Sequence, residues 1–508
     1  MKLNKKHYLY LTGFFSGMSV TAIEISASRL LAPYFGTSVY VWTSVIGITL
    51  LALALGYYFG GRFIDRKPQV GVYFMVLLMA GIFGMLIPVL AKPISTFAIA
   101  VTSNIFNTSA VIILGSFLAM LILFALPLIL LGMVSPSLIR LITKDKEESG
   151  RVAGSVFFIT TLGSLVGTFL PALLFIPFLG TKKTIVIFSA VLIFFGLSFF
   201  SKWQRWSLVG ILLLGLTGSM LSPSVVRADV LYETESAYQY ISVLEAGGNR
   251  YLTFNDSSGY QSVYNANNLL IDNTYYNYYL TLPYLAQKNP GANLDVLIIG
   301  LAGGTISRQY HELLADEFNL HIDGVEIDKK VIDVGKEYFE LDNPSLDIIN
   351  EDGRMYLAQT DKKYDIIIID AYSQQLYIPF HLSTKEFFTN VADHLQEGGL
   401  MAINVNAFSN KSRLLNSFYA TIEAVFKNTN AYKATAYSNH IIIGSKDNYL
   451  YDDVSDPDNQ QIKIYINDLY DQKVDMEPQT ENIFTDDKAP IELLTDKEYF
   501  NYWLENRK

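Results

Sequence analysis

The sequence predicts a polytopic α-helical membrane domain, then a small β-rich piece, then an α/β domain built on a doubly wound parallel sheet. Three observations carry this prediction. Apolar runs fill most of the first two hundred residues, and several reach the roughly 17–25 residues needed to cross a bilayer. Charge divides along the chain: up to Ser224 there are 16 Lys+Arg and 5 Asp+Glu, and beyond it 22 and 43. Basic loops therefore precede an acidic soluble part. After residue 290, apolar strand patterns alternate with helical ones, which marks a parallel sheet with helices on its faces.

At 508 residues, 51% of them hydrophobic, the chain is too long for one ordinary domain. Its mean hydropathy of +0.26 is high for a soluble protein. The acidic soluble part argues against nucleic acid as a partner. The absence of cysteine excludes disulfides, thiolate metal sites and a cysteine nucleophile. The 6 histidines are scattered without metal-ligand spacing, so no metal is expected.

The candidate spans are Leu9–Leu31, Val39–Gly61, Val70–Leu90, Ala110–Val134, Val152–Phe178, Thr184–Phe200 and Trp206–Leu221. "PISTFAIAVTSNIF" from Pro93 is a shorter run, read as an interfacial helix or an eighth span. The first run is no cleavable signal peptide, because it is too long and contains Glu24 and Arg29. Those two charges are costly inside a span, so they are expected to pair or to face a cavity. Lys2, Lys5 and Lys6 put the N-terminus in the cytoplasm, and "GGRFIDRK" fits the same side. Seven spans would put the C-terminal part outside and eight inside. The C-terminal part is expected in the cytoplasm, in a multi-pass protein of the cell membrane.

The expected divisions are 1–224 (helical, about seven or eight spans), 225–290 (β-rich), 291–447 (α/β) and 448–508 (an acidic extension of weak periodicity). "YQYISVLEAGGNRYLTFN" alternates around a Gly-Gly-Asn turn and reads as a hairpin. "DNTYYNYYLTLPYL" reads as a helix start. "DVLIIG", "LHIDGVEID", "YDIIIIDAY" and "GGLMAINVN" read as strands, with "ISRQYHELLADEF" and "KKVIDVGKEYFEL" as helices between them.

The chemistry sits at the strand ends. Gly300, Gly303 and Gly304 follow "DVLII" and open a helix, where backbone can approach a ligand. Glu326, at the end of the next strand, can accept hydrogen bonds from two ribose hydroxyls. Asp352 and Gly353, in "NEDGRMY", are placed to meet an adenine amino group. Asp370 ends "YDIIIID", a buried strand, and ligands of open α/β sheets bind at such ends. One acidic strand end is commonly a helix cap; three in succession beside a glycine turn predict a nucleoside site.

Gln261, "GLAGGTISR", "VEID", "DGR" and "YDIIIIDAYS" together resemble the spermidine synthases, the polyamine aminopropyltransferases, over about Tyr232 to Ile443. The β-rich piece resembles that family's N-terminal β-domain. "ASRLLAPYFGTSVYVWTSVIG" and "LGYYFGGRFIDR" resemble bacterial proteins that fuse a major-facilitator-like membrane part to a spermidine synthase-like domain. "IPFHLSTKEFF" and "FTDDKAPIELL" look like the same membrane-bound subgroup. The resemblance implies a Rossmann-like methyltransferase/spermidine synthase fold and an adenosyl-sulfonium co-substrate, decarboxylated S-adenosylmethionine. Gln261, Glu326 and Asp352 would hold its thioadenosine part, and Asp370 would take the proton of the attacking amine.

The sequence also departs from that family. Soluble spermidine synthases carry an Asp in the glycine loop where this chain has Gly303, a second Asp where it has Ser373, and an acidic gate residue where it has Asn277. Three missing carboxylates weaken the case for a doubly charged diamine such as putrescine. They open two other readings: a methyltransferase-like enzyme using intact S-adenosylmethionine, and a transporter or sensor that only binds the nucleoside. Tyr275, Tyr276, Tyr278, Tyr372 and Tyr377 are candidates to line the pocket, where rings can hold a sulfonium or an amine. The expected partners are a small amine or other acceptor, the lipid bilayer and, as a further candidate, a second copy of the chain.

Overall fold

The computed structural model describes residues 5–35, 39–103, 111–199, 229–255, 259–373, 377–434, 438–446, 457, 459–476 and 483–505. Its contacts divide the chain into a helical unit, Met1–Ala228 with Glu235–Tyr240, and an α/β unit, Asp229–Thr234 with Ile241–Lys508.

Long helices make up the helical unit: Lys5–Phe35, Val39–Arg66, Val70–Ser103, Ser116–Gly132 continued by Val134–Ile142, Ser149–Leu170, and Thr181–Leu197. Among the described residues, four stretches are long and apolar enough to cross a membrane: Val39–Arg66, Val70–Thr102, Ile113–Ile142 and Lys146–Phe175. Their outward surfaces carry large apolar side chains such as Leu50, Phe59, Phe158, Phe169 and Leu173. Small residues bring the helices together. A Cβ on Gly163 would lie 2.0 Å from the Phe14 carbonyl, and one on Gly167 2.0 Å from that of Met18. The run from Pro93, expected as a separate segment, instead continues the helix Val70–Ser103 straight through Pro88 and Pro93; neighbouring helices make such prolines tolerable in an apolar bundle. The expected span Trp206–Leu221 lies outside the described residues.

In the α/β unit, β1 (Val230–Glu235), β2 (Tyr240–Ala246), β3 (Asn249–Phe254) and β4 (Ser262–Tyr264) form a sheet in that order. β2 and β3 pair antiparallel from Ala246↔Asn249, around Gly247 and Gly248 with φ of 60° and 81°. That left-handed pair is what a two-residue hairpin requires.

The large sheet contains β5 (Asn293–Ile299), β6 (Asn319–Val325), β7 (Leu346–Ile349), β8 (Tyr364–Ile369), β9 (Leu395–Asn406), β10 (Asn428–Lys433), β11 (Asn439–Ser445) and β12 (Lys473–Val474). Their order is β12-β10-β11-β9-β8-β5-β6-β7. β9, β8, β5, β6 and β7 are parallel, as expected. β10, β11 and β12, beyond the strands read in the sequence, pair antiparallel at the other side of the sheet. The link between β10 and β11 is too short for a crossover, which needs a dozen residues or more, so those two strands must form a hairpin.

The acidic extension, expected to have weak periodicity, holds two helices, Gln460–Asp471 and Ile491–Glu505. Ile462, Ile466 and Leu469 of the first join the cluster on one face of the sheet. Ile491 and Leu494 join the cluster on the other.

Register fixes the site. Ile299 of β5 pairs with Val325 of β6 and with Ile369 of β8. The next residue on each strand is Gly300, Glu326 or Asp370, so these three stand in one row along the carboxyl edge.

Candidate active site

The row begins with the glycine turn. Gly300 has φ of 91°, and a Cβ there would lie 2.6 Å from the Ala371 Cα. Gly304, with φ of 82°, caps the helix Thr305–Leu314. Both positions need glycine. Gly300→Ala is expected to cost stability by roughly 1–3 kcal/mol from backbone strain alone, with overlap against Ala371 added. Thermal unfolding of the variant checks this, and an unchanged midpoint would contradict it. Gly303 is constrained differently. Its N–H donates to Ser262 Oγ at 2.8 Å, and a Cβ there would lie 2.9 Å from Ser262 Cβ. Ser262 and Phe339 thus fill the space that a loop Asp would need.

Glu326 is buried beside this turn. Its Oε2 accepts from Ala302 N–H and its Oε1 from Asp328 N–H, both at 3.0 Å. Burial pushes the carboxyl up to about 7, against the pull of those N–H groups. Asp352 caps the helix Gly353–Gln359: Oδ1 accepts from Arg354 and Met355 N–H, and Oδ2 pairs with His381 Nε2 at 3.0 Å. The His381 contact, then the backbone bonds, hold Asp352 below the usual carboxylate range despite partial burial. Gly353 lies against Ile299, where a Cβ would approach to 2.3 Å. Gln261 is half-buried, its N–H bonded to the Leu252 carbonyl, one residue before the Ser262 that holds the glycine turn.

Asp370 sits among phenols. Tyr275 donates to Oδ2 at 2.9 Å, and Asn404 Nδ2 approaches Oδ1 at 3.4 Å. Burial pushes Asp370 up to about 7, while those two contacts pull it back. Tyr276, Tyr279 and Tyr372 also feel its charge. Tyr275 packs tilted against Tyr276, with ring centres 4.2 Å apart, and meets Tyr279 edge-on at 6.1 Å. Burial and the Asp370 charge raise all four hydroxyls above the ordinary phenol range, so they stay protonated. The Tyr279 hydroxyl is buried without a hydrogen-bond partner among the described residues. Buried polar atoms rarely go unpaired, so this one is suited to meet a ligand.

Three of the tyrosines expected around the pocket, Tyr275, Tyr276 and Tyr372, do gather at Asp370; Tyr372 also donates to the Asn404 carbonyl at 2.7 Å. Tyr278 and Tyr377 do not, because their hydroxyls bond Asp468 and Asp496. Ser373 is exposed and closes a local turn onto the Tyr377 carbonyl. Asn277 is buried elsewhere, donating to Ile271 O and Tyr465 and accepting from Gln309. Tyr279, Asn404, Ser262 and His381 went unread in the sequence. Tyr279 had a signal: it stands four residues after Tyr275, on the same helical face.

Comparison with known proteins bears on this geometry. Residues 274–449 match the family model described as Spermine/spermidine synthase domain. A probable polyamine aminopropyl transferase of Bifidobacterium longum is 33% identical over 293 residues, 53% of this chain and 63% of that protein. The polyamine aminopropyltransferase of Vibrio vulnificus is 31% identical over 227 residues, 42% of this chain and 72% of its own length. This chain belongs to the polyamine aminopropyltransferase family. It spans less than two thirds of the Bifidobacterium relative's length. Among solved structures, a probable spermidine synthase from Corynebacterium glutamicum aligns at 18% identity and a TM-score of 0.38, over 48% of this chain and 86% of that one. Family members are transferases that draw on decarboxylated S-adenosylmethionine as a co-substrate rather than a tightly held cofactor. The matched segment contains the glycine turn, Glu326, Asp352 and Asp370, but not Gln261.

Proposed function

We propose that this protein transfers the aminopropyl group of decarboxylated S-adenosylmethionine to a small amine. The observation that supports it best is Asp370: a half-buried carboxylate pushed up to about 7, ringed by protonated phenols, in one row with the glycine turn and Glu326. In this reading Glu326 accepts from the ribose hydroxyls. Asp352 accepts from the adenine amino group, with Gly353 allowing close approach. Gln261 and the turn Gly300–Gly304 lie along the thioadenosine.

The chemistry asks little else of the protein. The lone pair of a neutral amine attacks the aminopropyl carbon next to the sulfonium. The carbon–sulfur bond breaks toward sulfur, and methylthioadenosine leaves as a neutral thioether. The new ammonium gives its proton to Asp370, whose raised basicity suits the transfer. The remaining acceleration is alignment of nitrogen, carbon and sulfur, and the electron-rich faces of Tyr275, Tyr276, Tyr279 and Tyr372 favour both cations.

The acceptor is proposed to carry one charge rather than the two of a diamine such as putrescine. Gly303 and Ser373 are neutral, Asn277 is tied to Gln309 and Tyr465, and no second carboxylate acts on Asp370 among the described residues. Full-length protein incubated with donor and a pool of amines is expected to release methylthioadenosine, with putrescine turned over far more slowly than the best monoamine. Mass spectrometry of the products tests both points. S-adenosylhomocysteine from intact S-adenosylmethionine would replace this reading with methyl transfer, and putrescine as the best acceptor would remove the single-charge proposal.

A further inference from the structure

A cavity of about 410 Å³ opens within the helical unit. Arg29, Lys92, Lys182 and Lys183 line it, together with Tyr34 and one carboxylate, Glu235. Ionised, that set leaves three positive charges in excess.

Three of these cations stand where folding alone disfavours them. Arg29 lies near the end of a long apolar helix and lines the cavity, and charged residues in apolar helices pair or face a polar cavity. Lys182 and Lys183 occupy the first turn of the helix Thr181–Leu197, at the positive end of its dipole, where cations are destabilising. An anion placed among them turns all three placements from costs into gains. The chain already uses this spot so: Thr181 donates its N–H to Glu235 Oε2 at 2.9 Å and its hydroxyl to Oε1. Arg29 and Lys182 act on the same carboxylate by Coulomb attraction. Glu235 is the one carboxylate in a lining with four basic side chains.

The rest of the wall indicates the kind of anion. Leu30, Pro33, Pro88 and Leu179 make part of the lining apolar, and basic pockets between apolar helices suit phosphate-bearing head groups. We infer that this cavity binds a phosphate-bearing anion, supplied either as the head group of an anionic lipid or as a free phosphate. The inference is independent of the transfer reaction, and its test reads binding alone.

Full-length protein is purified in detergent, stripped of lipid, and mixed with phosphatidylglycerol or phosphatidylcholine for native mass spectrometry. The lipid source predicts retention of phosphatidylglycerol over phosphatidylcholine by about tenfold, falling to parity in Lys182→Gln/Lys183→Gln. A parallel calorimetric titration with inorganic phosphate, in phosphatidylcholine nanodiscs, tests the free source. Saturable phosphate binding without a phosphatidylglycerol preference assigns the site to a soluble anion. Lys92→Gln, on a different helix, is measured alongside the double variant, and both are checked for unchanged helicity and a single size-exclusion peak. Wild-type protein showing neither preference nor phosphate binding overturns the inference, as does binding undiminished in both folded variants.

Discussion

Asp370→Asn is expected to lower turnover by roughly 10²–10⁴-fold while leaving the fold and donor binding intact. The change is nearly isosteric, and the asparagine oxygen still accepts from Tyr275. What is lost is the capacity to take a proton. Stability should move in the opposite direction from activity. The folded carboxyl is pushed up to about 7 by burial, whereas an unfolded aspartate titrates near 3.9. A raised carboxyl favours the fold fully below the unfolded value, and that contribution is lost as pH rises through about 7. Above pH 7 the wild type therefore bears a buried charge worth on the order of 2–4 kcal/mol, which asparagine removes. Denaturant unfolding is expected to find the variant more stable than wild type at pH 8 and nearly equal at pH 4. The activity side is read by single-turnover kinetics with the best acceptor. If Asp370 only caps its loop, the variant keeps most of its turnover, and that result would rule out the base role.

The strands β5, β6 and β8 and the residues at their carboxyl ends were legible because apolar segments stop there at a glycine or a carboxylate. Short-range patterns also gave the β2–β3 hairpin, since a Gly-Gly turn admits few alternatives. What escaped was set by tertiary context. β10 is a mostly polar segment, Asn428–Lys433, β11 carries only the short run Ile441–Ile443, and nothing local says that β11 inserts between β9 and β10. The helix Gln460–Asp471 is stabilised by Ile462, Ile466 and Leu469 reaching a core built far upstream, so its charged neighbours concealed it. The fate of the tyrosines was likewise undecidable from spacing. Tyr275 and Tyr278 share one short segment, yet one hydroxyl meets Asp370 and the other Asp468, a residue 190 positions downstream. The three neutral substitutions were legible as residues but not as causes. Space explains Gly303, and a buried amide network explains Asn277.

Donor binding by wild type is expected to weaken as pH falls below about 7, and Glu326→Gln is expected to flatten that dependence while costing affinity on the order of 1–3 kcal/mol. Both effects come from one carboxylate. Burial pushes Glu326 up to about 7 in the free protein, and ribose hydroxyls that donate to it favour the ionised form. Protonation therefore competes with the donor: affinity is full above pH 7 and declines as pH drops through it. Glutamine cannot ionise, so it binds weakly and nearly evenly across that range. A structural role makes a different forecast. Glu326 also accepts from Ala302 and Asp328 N–H, and glutamine can satisfy only one of those through its single oxygen. If holding the glycine turn were its whole purpose, the variant would lose stability, and its remaining affinity would keep the wild-type pH profile. Calorimetry with decarboxylated S-adenosylmethionine between pH 5.5 and 8.5 (on the order of half a unit either side of the carboxyl's range at one pKa unit per tenfold), paired with thermal unfolding, separates the two. Equal affinity and an unchanged pH profile in a folded Glu326→Gln protein would remove the ribose contact from the proposed site.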